Sequence, residues 1–288
     1  MADTPQIAKI SFEFFPACTP EAETALLETV RKLDGYTPDF FSVTFGTGGT
    51  TPSQTLETVK QLNTQTKSRI APHISCIGTH RTDIQHMLSE YQAQGIDRLV
   101  VLQGDKPADA DSSGDFQHAN ELVSFIRTET GNHLHLSVAA HPEYHPQSAN
   151  PNEDLNYFLQ KARQGDNQAI TQYFYNPDAY FYFVDSCQEQ GLEIPIIPGI
   201  MPINNYKQLT QFSDMHQAEI PRWIREKLAY YDAKGDRIGL REFGEQVVTL
   251  QCETLLNNGA PGLHFYTLNR FEPAHNILQN LMLASMGS

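Results

Sequence analysis

Eight apolar runs of strand length recur along this chain, and stretches of helical periodicity separate them. The runs are Ile7–Phe14, Phe40–Thr44, Ile70–Cys76, Arg98–Leu102, Leu134–Ala140, Ala169–Tyr173, Ile194–Pro198 and Gly262–Tyr266. Between them, apolar residues return at i, i+3, i+4 spacing over Glu21–Leu33, Ser53–Thr66, Asp83–Gln94, Ala119–Thr130, Asp154–Arg163 and Asp178–Gln190. Three such stretches follow the seventh run (Tyr206–Met215, Pro221–Tyr231, Asp236–Leu256), and a last one runs from about Pro273 to Leu283. Gly35, Gly95, Gly165, Gly191 and Gly259 stand where helices should stop, and a left-handed glycine there turns the chain back. Eight βα units are the count of an α/β (β/α)8 TIM barrel. A doubly wound open sheet is the competitor. No Pro/Gly/Ser-rich linker divides the chain, so a single-domain barrel over 1–286 is expected, with Gly287-Ser288 read as a cloning remnant. Pro107–Gly114 reads as a polar loop.

Charge and cysteine usage narrow the partners. The 288 residues carry a formal net charge of −14, which repels nucleic acid and anionic lipid. Cys18, Cys76, Cys187 and Cys252 are dispersed, with no CxxC pair, which fits a reducing cytoplasm and suggests neither zinc nor a redox pair. No basic start followed by an apolar run marks a signal peptide, and no run approaches the roughly 18 residues of a membrane span.

In such a barrel the site forms where the strands end. The polar residues there are Glu13, Thr44, His73, Gln103-Gly104-Asp105, His141, Glu143, His145, Thr171, Gln172, Gly199, Asn204, Gln208, Tyr266, Thr267, Asn269 and Arg270. Any one alone is explained as a turn or cap residue; all eight strands delivering them to one rim points to a site. Glu13 sits in Lys9–Pro16, where Ile10, Phe12 and Phe14 alternate on one face and Ser11, Glu13 and Phe15 on the other. Aromatic surroundings disfavour a charged carboxyl, which suits a proton donor; an ionised Glu at the strand's wet end is the simpler reading of that stretch alone. No GxSxG elbow or GxxxxGK[ST] loop is present. Gly46-Thr47-Gly48-Gly49 lacks GxGxxG spacing and reads as a flexible loop. His141 and His145 are four apart, but Pro142 and Pro146 keep that segment from being a helix, so no metal site is expected. Trp223 and Tyr230-Tyr231 read as core or interface aromatics.

Taken together and in order, the motifs resemble the bacterial 5,10-methylenetetrahydrofolate reductases. They are Ser11–Pro16 (SFEFFP), Phe41–Gly46 (FSVTFG), Ala71–Cys76 (APHISC), Gly104-Asp105, Val138–Pro146 (VAAHPEYHP), Ala169–Phe174 (AITQYF), Ile197–Pro202 (IPGIMP) and His264–Arg270 (HFYTLNR). The resemblance covers nearly the whole chain. It implies a (β/α)8 barrel that reduces 5,10-methylenetetrahydrofolate to 5-methyltetrahydrofolate by ping-pong hydride transfer through FAD, recharged by NADH or NADPH, commonly as a homo-oligomer. By resemblance Glu13 is the general acid. Asp105 and Gln172 grip the pterin, and Gln208, Phe212 and Arg270 lie near the folate and nicotinamide. Thr44, His73, Gly104, Ala119, His141, His145, Asp154 and Lys161 fall on flavin-contact positions.

Five cofactor positions depart from the family pattern. Gln103 and Gln160 stand where the family carries Arg, His118 replaces Tyr, and Tyr157 replaces Asn; His141 also replaces a Tyr. Two lost cations should weaken pyrophosphate binding by about 1.5–3 kcal/mol each. Protonated His118, His141 and His145 would restore part of that, so FAD loss should ease as pH rises from about 6 to 8. These departures keep two alternatives open: direct hydride transfer without bound flavin, and a folate- or flavin-binding barrel without turnover. A generic aldolase-type barrel is weaker, because it needs a strand-end lysine or a metal cluster. No regulatory domain is expected beyond the eighth unit.

Overall fold

The computed structural model describes residues 9–45, 51–104, 114–165 and 167–286, with side chains to residue 282. Eight parallel strands close into a barrel in sequence order. They are β1 (Lys9–Phe14), β2 (Phe40–Val43), β3 (Arg69–Ser75), β4 (Arg98–Leu102), β5 (His135–Ala140), β6 (Gln168–Tyr173), β7 (Ile196–Ile200) and β8 (Gly262–Tyr266). Closure pairs β1 with β8, setting Ser11 opposite His264 and Glu13 opposite Tyr266. The helices are α1 (Pro20–Asp34), α2 (Pro52–Gln65), α3 (Arg81–Ala93), α4 (Ala119–Thr130), α5 (Pro151–Ala162) and α6 (Pro177–Glu189). Between β7 and β8 come α7 (Tyr206–His216), α8 (Arg222–Lys234) and α9 (Arg237–Asn257), and α10 (Glu272–Met286) closes the described chain.

Local chemistry starts these helices. Thr19, Thr51, Asn150 and Asn176 cap α1, α2, α5 and α6 through their side chains, each with a proline in the first turn. The proline gives up no needed N–H there, and the cap oxygen satisfies an orphan donor. Gly95, Gly165, Gly191 and Gly259 have positive φ as expected. Gly35 does not: its φ is −60°, and Thr37, at φ 51°, makes the left-handed turn before β2.

Strand alternation splits the core into two layers. Phe12, Phe14, Phe41 and Val43 face outward into the cluster shared with the helices. Phe40, Ala71, Val100, Ile170 and Ile197 fill the barrel lumen, with Leu102 against them. The inward positions of β1 are therefore Ser11 and Glu13. At the N-terminal end of the lumen, Arg98 bonds both carboxylate oxygens of Asp39 at 3.0 and 3.3 Å and lies 5.4 Å from the Phe40 ring centroid. Burial, followed by the charge of Arg98, lowers the His135 pKa to about 4. Trp223 and Tyr230 are 60% and 56% exposed on α8, so they are not core residues.

Candidate active site

The C-terminal mouth of the barrel is organised around Glu13. Its Oε2 lies 3.4 Å from His73 Nε2 and 3.7 Å from His264 Nε2. Both imidazoles are buried, and the carboxylate side chain is 13% exposed. The hydroxyl of Thr267 donates to the backbone carbonyl of Glu13 at 2.6 Å, which fixes the end of β1. The side chain of Asn269 brackets the next peptide, accepting the Phe15 N–H at 2.8 Å and donating to the Phe15 carbonyl at 2.9 Å. Burial lowers the His73 pKa to about 4, against an opposing pull from Glu13. His73 is therefore neutral near pH 7 and sets no full positive charge beside the carboxyl. A cation there would hold Glu13 ionised.

His264 and Ser11 were not among the site residues expected from sequence. His264 Nδ1 and Ser11 Oγ are 2.8 Å apart, and the His264 ring stacks on Phe40 with centroids 5.7 Å apart. These contacts hold the ring with Nε2 towards Glu13. The signal for Ser11 was its shared strand face with Glu13; that for His264 exists only once β8 closes against β1.

A shallow hollow opens where β7 and β8 exit, next to Thr267, whose hydroxyl bonds the Glu13 carbonyl. Gln208 and Phe212 of α7 and Arg270 line it together, as do Tyr266 and Thr267 from the end of β8. Three of the residues expected to touch substrate thus share one space. Gln172, the fourth, sits at a register irregularity between β6 and β7. A bulge of this kind re-aims a side chain. Here Thr171 takes over the bonding: its hydroxyl accepts the Gly199 N–H at 2.9 Å, and its carbonyl accepts the Tyr266 hydroxyl at 2.7 Å. A Cβ on Gly199 would stand 2.1 Å from the Thr171 carbonyl oxygen, so only glycine permits this approach. Gln172 Oε1 accepts the N–H of Tyr173 at 3.0 Å. Asp105 lies outside the described residues, as does Gly46–Gly49.

The expected flavin contacts arrange along the exits of β2 to β5. Thr44 Oγ1 and His73 Nδ1 are buried and have no hydrogen-bond partner among the described residues. Buried polar atoms of this kind are normally satisfied, so these fit a polar ligand. Gly104 has φ +84°, and a Cβ there would meet Ser75 Oγ at 1.9 Å. The backbone oxygen of Gln103 accepts from Ser75 Oγ and Cys76 Sγ, both at 3.1 Å. His118 precedes α4 without capping it by side chain, Ala119 opens that helix, and the His118 ring stacks with Tyr157 at 6.5 Å. His141 and His145 meet edge to face at 4.6 Å. Asp154 accepts the His145 N–H at 3.1 Å and the Ser148 hydroxyl at 2.7 Å. Lys161 reaches back to donate to the Ala139 carbonyl at 2.6 Å. Gln160 is exposed on α5. Burial, then the charges of His145 and Lys161, holds the His141 pKa well below its ordinary value. His141 therefore resists protonation and does not supply the cationic help expected of it. Among the described residues, no group of three His, Cys, Asp or Glu is placed to hold a metal ion.

Glu143 is a further perturbed group at this end. Burial raises its pKa to about 7, opposed by the Glu219 N–H it accepts. The native state therefore keeps this proton to higher pH than the unfolded chain, whose carboxyl titrates near 4.5. The stability it contributes is full below the unfolded value and is lost as pH rises through the folded one. Glu143→Gln has no proton to lose. Its melting temperature should gain on the parent's as pH rises from about 5 to about 7.5, and thermal scans across that range check it.

A closed (β/α)8 barrel that gathers a carboxyl between two imidazoles at its C-terminal mouth has the layout of a barrel enzyme. The family model for methylenetetrahydrofolate reductase matches residues 2–282. The chain is 34% identical over 272 residues to 5,10-methylenetetrahydrofolate reductase of Salmonella typhimurium, covering 94% of this chain and 90% of that one. It is 33% identical to the Escherichia coli protein of the same name, with 94% and 90% coverage. Against methylenetetrahydrofolate reductase (NADH) 1 of Zea mays it is 33% identical, over 95% of this chain and 48% of the maize protein. Among solved structures, a Clostridium thermocellum protein that binds two copies of 5-methyl-5,6,7,8-tetrahydrofolic acid superposes with a TM-score of 0.67. Its identity is 16%, over 98% and 97% of the chains, which speaks to fold alone. The chain belongs to the methylenetetrahydrofolate reductase family. The oxidoreductase class and the FAD cofactor implied by the sequence resemblance stand with that membership. No helix among the described residues is long and apolar enough to cross a membrane.

Proposed function

We propose that this chain reduces 5,10-methylenetetrahydrofolate to 5-methyltetrahydrofolate with a nicotinamide nucleotide as electron donor and Glu13 as proton donor. The observation that carries the reading is the Glu13 carboxyl, held between His73 and His264 at the mouth where Gln208, Phe212 and Arg270 line one hollow beside Thr267. The five-membered ring of the substrate must open before its one-carbon unit accepts a hydride. A proton delivered from Glu13 to the amine side of that ring drives the opening. Neutral His73 sets no full positive charge beside the carboxyl, and Ser11 holds His264 in place beside it. Phe212 offers a flat apolar face for a planar ring. Gln208 and Gln172 supply amides that read a donor and acceptor edge, and Arg270 favours the anionic end of folate.

FAD, when bound, carries the hydride between the two substrates. Thr44, His73, Gly104, His118, Ala119, His145, Asp154 and Lys161 would hold it, and the Thr44 hydroxyl and His73 Nδ1, without partners among the described residues, support that placement. Asp105 belongs to the same proposal as a second site carboxylate. The chain acts as a homo-oligomer in this reading, and the exposed Trp223 and Tyr230 on α8 support a subunit contact. Sedimentation velocity tests that part.

The decisive experiment is the visible spectrum of the purified protein under anaerobic conditions. A flavin band that bleaches with NADH or NADPH and returns with methylenetetrahydrofolate is the expected result. A protein that neither binds FAD nor oxidises the nucleotide overturns the reading. Within it, Ser11→Ala should lower kcat for folate reduction about five- to tenfold, the effect of one hydrogen bond, with KM nearly unchanged. Steady-state kinetics of that variant measure it.

A further inference from the structure

Glu143 takes no part in the chemistry described above, yet it is the link between two parts of the site. It lies in the β5–α5 connection between His141 and His145, beside Tyr144, which the turn holds at φ 59°. Its Oε2 accepts the N–H of Glu219 at 2.8 Å, 76 residues further along the chain. Its Oε1 is buried with no hydrogen-bond partner among the described residues.

Glu219 stands just past α7, the helix that brings Gln208 and Phe212 to the cavity. That helix is thinly anchored. Only Leu209 and Ser213 of its residues are buried, and Ser213 Oγ is 3.2 Å from the Tyr173 hydroxyl of β6. Its C-terminal end stops at Gln217 in the left-handed conformation, φ 54°, a geometry that costs a non-glycine residue. A helix with so little buried surface is set by its ends. Asn205 fixes the first turn by accepting the Gln208 N–H at 2.9 Å. At the other end the Glu143–Glu219 bond ties the segment after α7 to the loop that carries His141 and His145.

We propose that Glu143 is a positioning residue that latches the C-terminal end of α7 to the β5–α5 loop, so that Phe212 and Gln208 stay in register with the cofactor side of the site. This rests on the reading of the α7 cavity as the seat of folate and nicotinamide. The latch is an oxygen accepting a backbone N–H, so it needs an acceptor of the right length rather than a charge. Its loss loosens the seat and leaves the acid at Glu13 and the Thr44 and His73 contacts untouched.

The test uses the FAD-loaded full chain. Glu143→Ala should raise KM for methylenetetrahydrofolate roughly two- to tenfold, the range commanded by one net hydrogen bond. Its kcat and FAD content should stay near the parent's, as expected when binding is weakened equally in ground and transition states. Glu143→Gln keeps an acceptor oxygen and should restore the parental KM. Glu219→Pro removes the donor N–H with Glu143 in place. It should reproduce the Glu143→Ala effect, and it carries the test if Glu143→Ala fails to fold. A parental KM in Glu143→Ala or Glu219→Pro overturns the latch, as does a Gln variant as impaired as the Ala one. If the parent itself reduces no methylenetetrahydrofolate in the same assay, the functional reading fails instead.

Discussion

Glu13→Gln is expected to cut folate reduction by about 10²- to 10⁴-fold, the usual contribution of a positioned general acid. The amide matches the carboxyl in size and keeps polar contact with His73 and His264, but it has no proton to give. Bleaching of bound flavin by NADH needs no ring opening, so that half-reaction should run at close to the parental rate. Stopped-flow absorbance separates the two halves in one protein. Loss confined to the folate half assigns the acid to Glu13. Equal loss in both halves would mean that the residue shapes the cofactor site instead, and undiminished folate turnover would remove it from the mechanism. The geometry makes this a sharp experiment. Both imidazoles beside Glu13 are buried, and Thr267 and Asn269 hold the β1 exit through its backbone, so the substitution has little else to disturb.

The largest stability effect is expected at the opposite end of the barrel. Asp39→Ala leaves Arg98 charged and buried, with its Nε already lacking a hydrogen-bond partner among the described residues. Breaking a buried ion pair from one side costs about 3–5 kcal/mol. For a chain of this size that lowers the melting temperature by roughly 6–15 °C. The double variant Arg98→Met with Asp39→Ala should recover much of the loss, because an apolar replacement removes the stranded charge together with its partner. Differential scanning calorimetry of the two variants measures both effects. An Asp39→Ala protein as stable as its parent would mean that the Phe40 ring and solvent suffice for Arg98. Activity measured below the melting transition should be little altered, since the pair lies at the N-terminal ends of β2 and β4, away from the mouth.

Much of this architecture was legible before any coordinates. The limits of β4, β8 and α4 coincide with the sequence reading, because apolar periodicity and flanking turn residues agree there. The seventh strand was read as Ile194–Pro198 but runs Ile196–Ile200. Pro198 lies inside the strand, which runs on because Gly199 and Ile200 still pair with His264 and Phe265 of β8. Gly35 was expected to be left-handed, and Thr37 takes that role two residues later. Among site residues, Gln208, Phe212 and Arg270 were expected near one another and do line one cavity. His141 was expected to help hold the cofactor as a cation; burial and its basic neighbours His145 and Lys161 keep it neutral.

The order of strands and helices, and with it the barrel, was determined by the sequence alone. Hydrophobic period is a local property, and eight parallel strands with helical crossovers leave few ways to bury both faces of every strand. The same local reading placed the polar residues at strand exits and matched the motifs of the reductase family. What only the tertiary structure decided is the company each of those residues keeps. Ser11 and His264 are 253 positions apart and touch because closure sets β8 against β1. Glu143 and Glu219 meet across 76 positions because the β5–α5 loop and the end of α7 pack at the same rim. The ionisation of His73, His141 and Glu143 follows from burial, a property of the assembled rim that no stretch of sequence carries by itself.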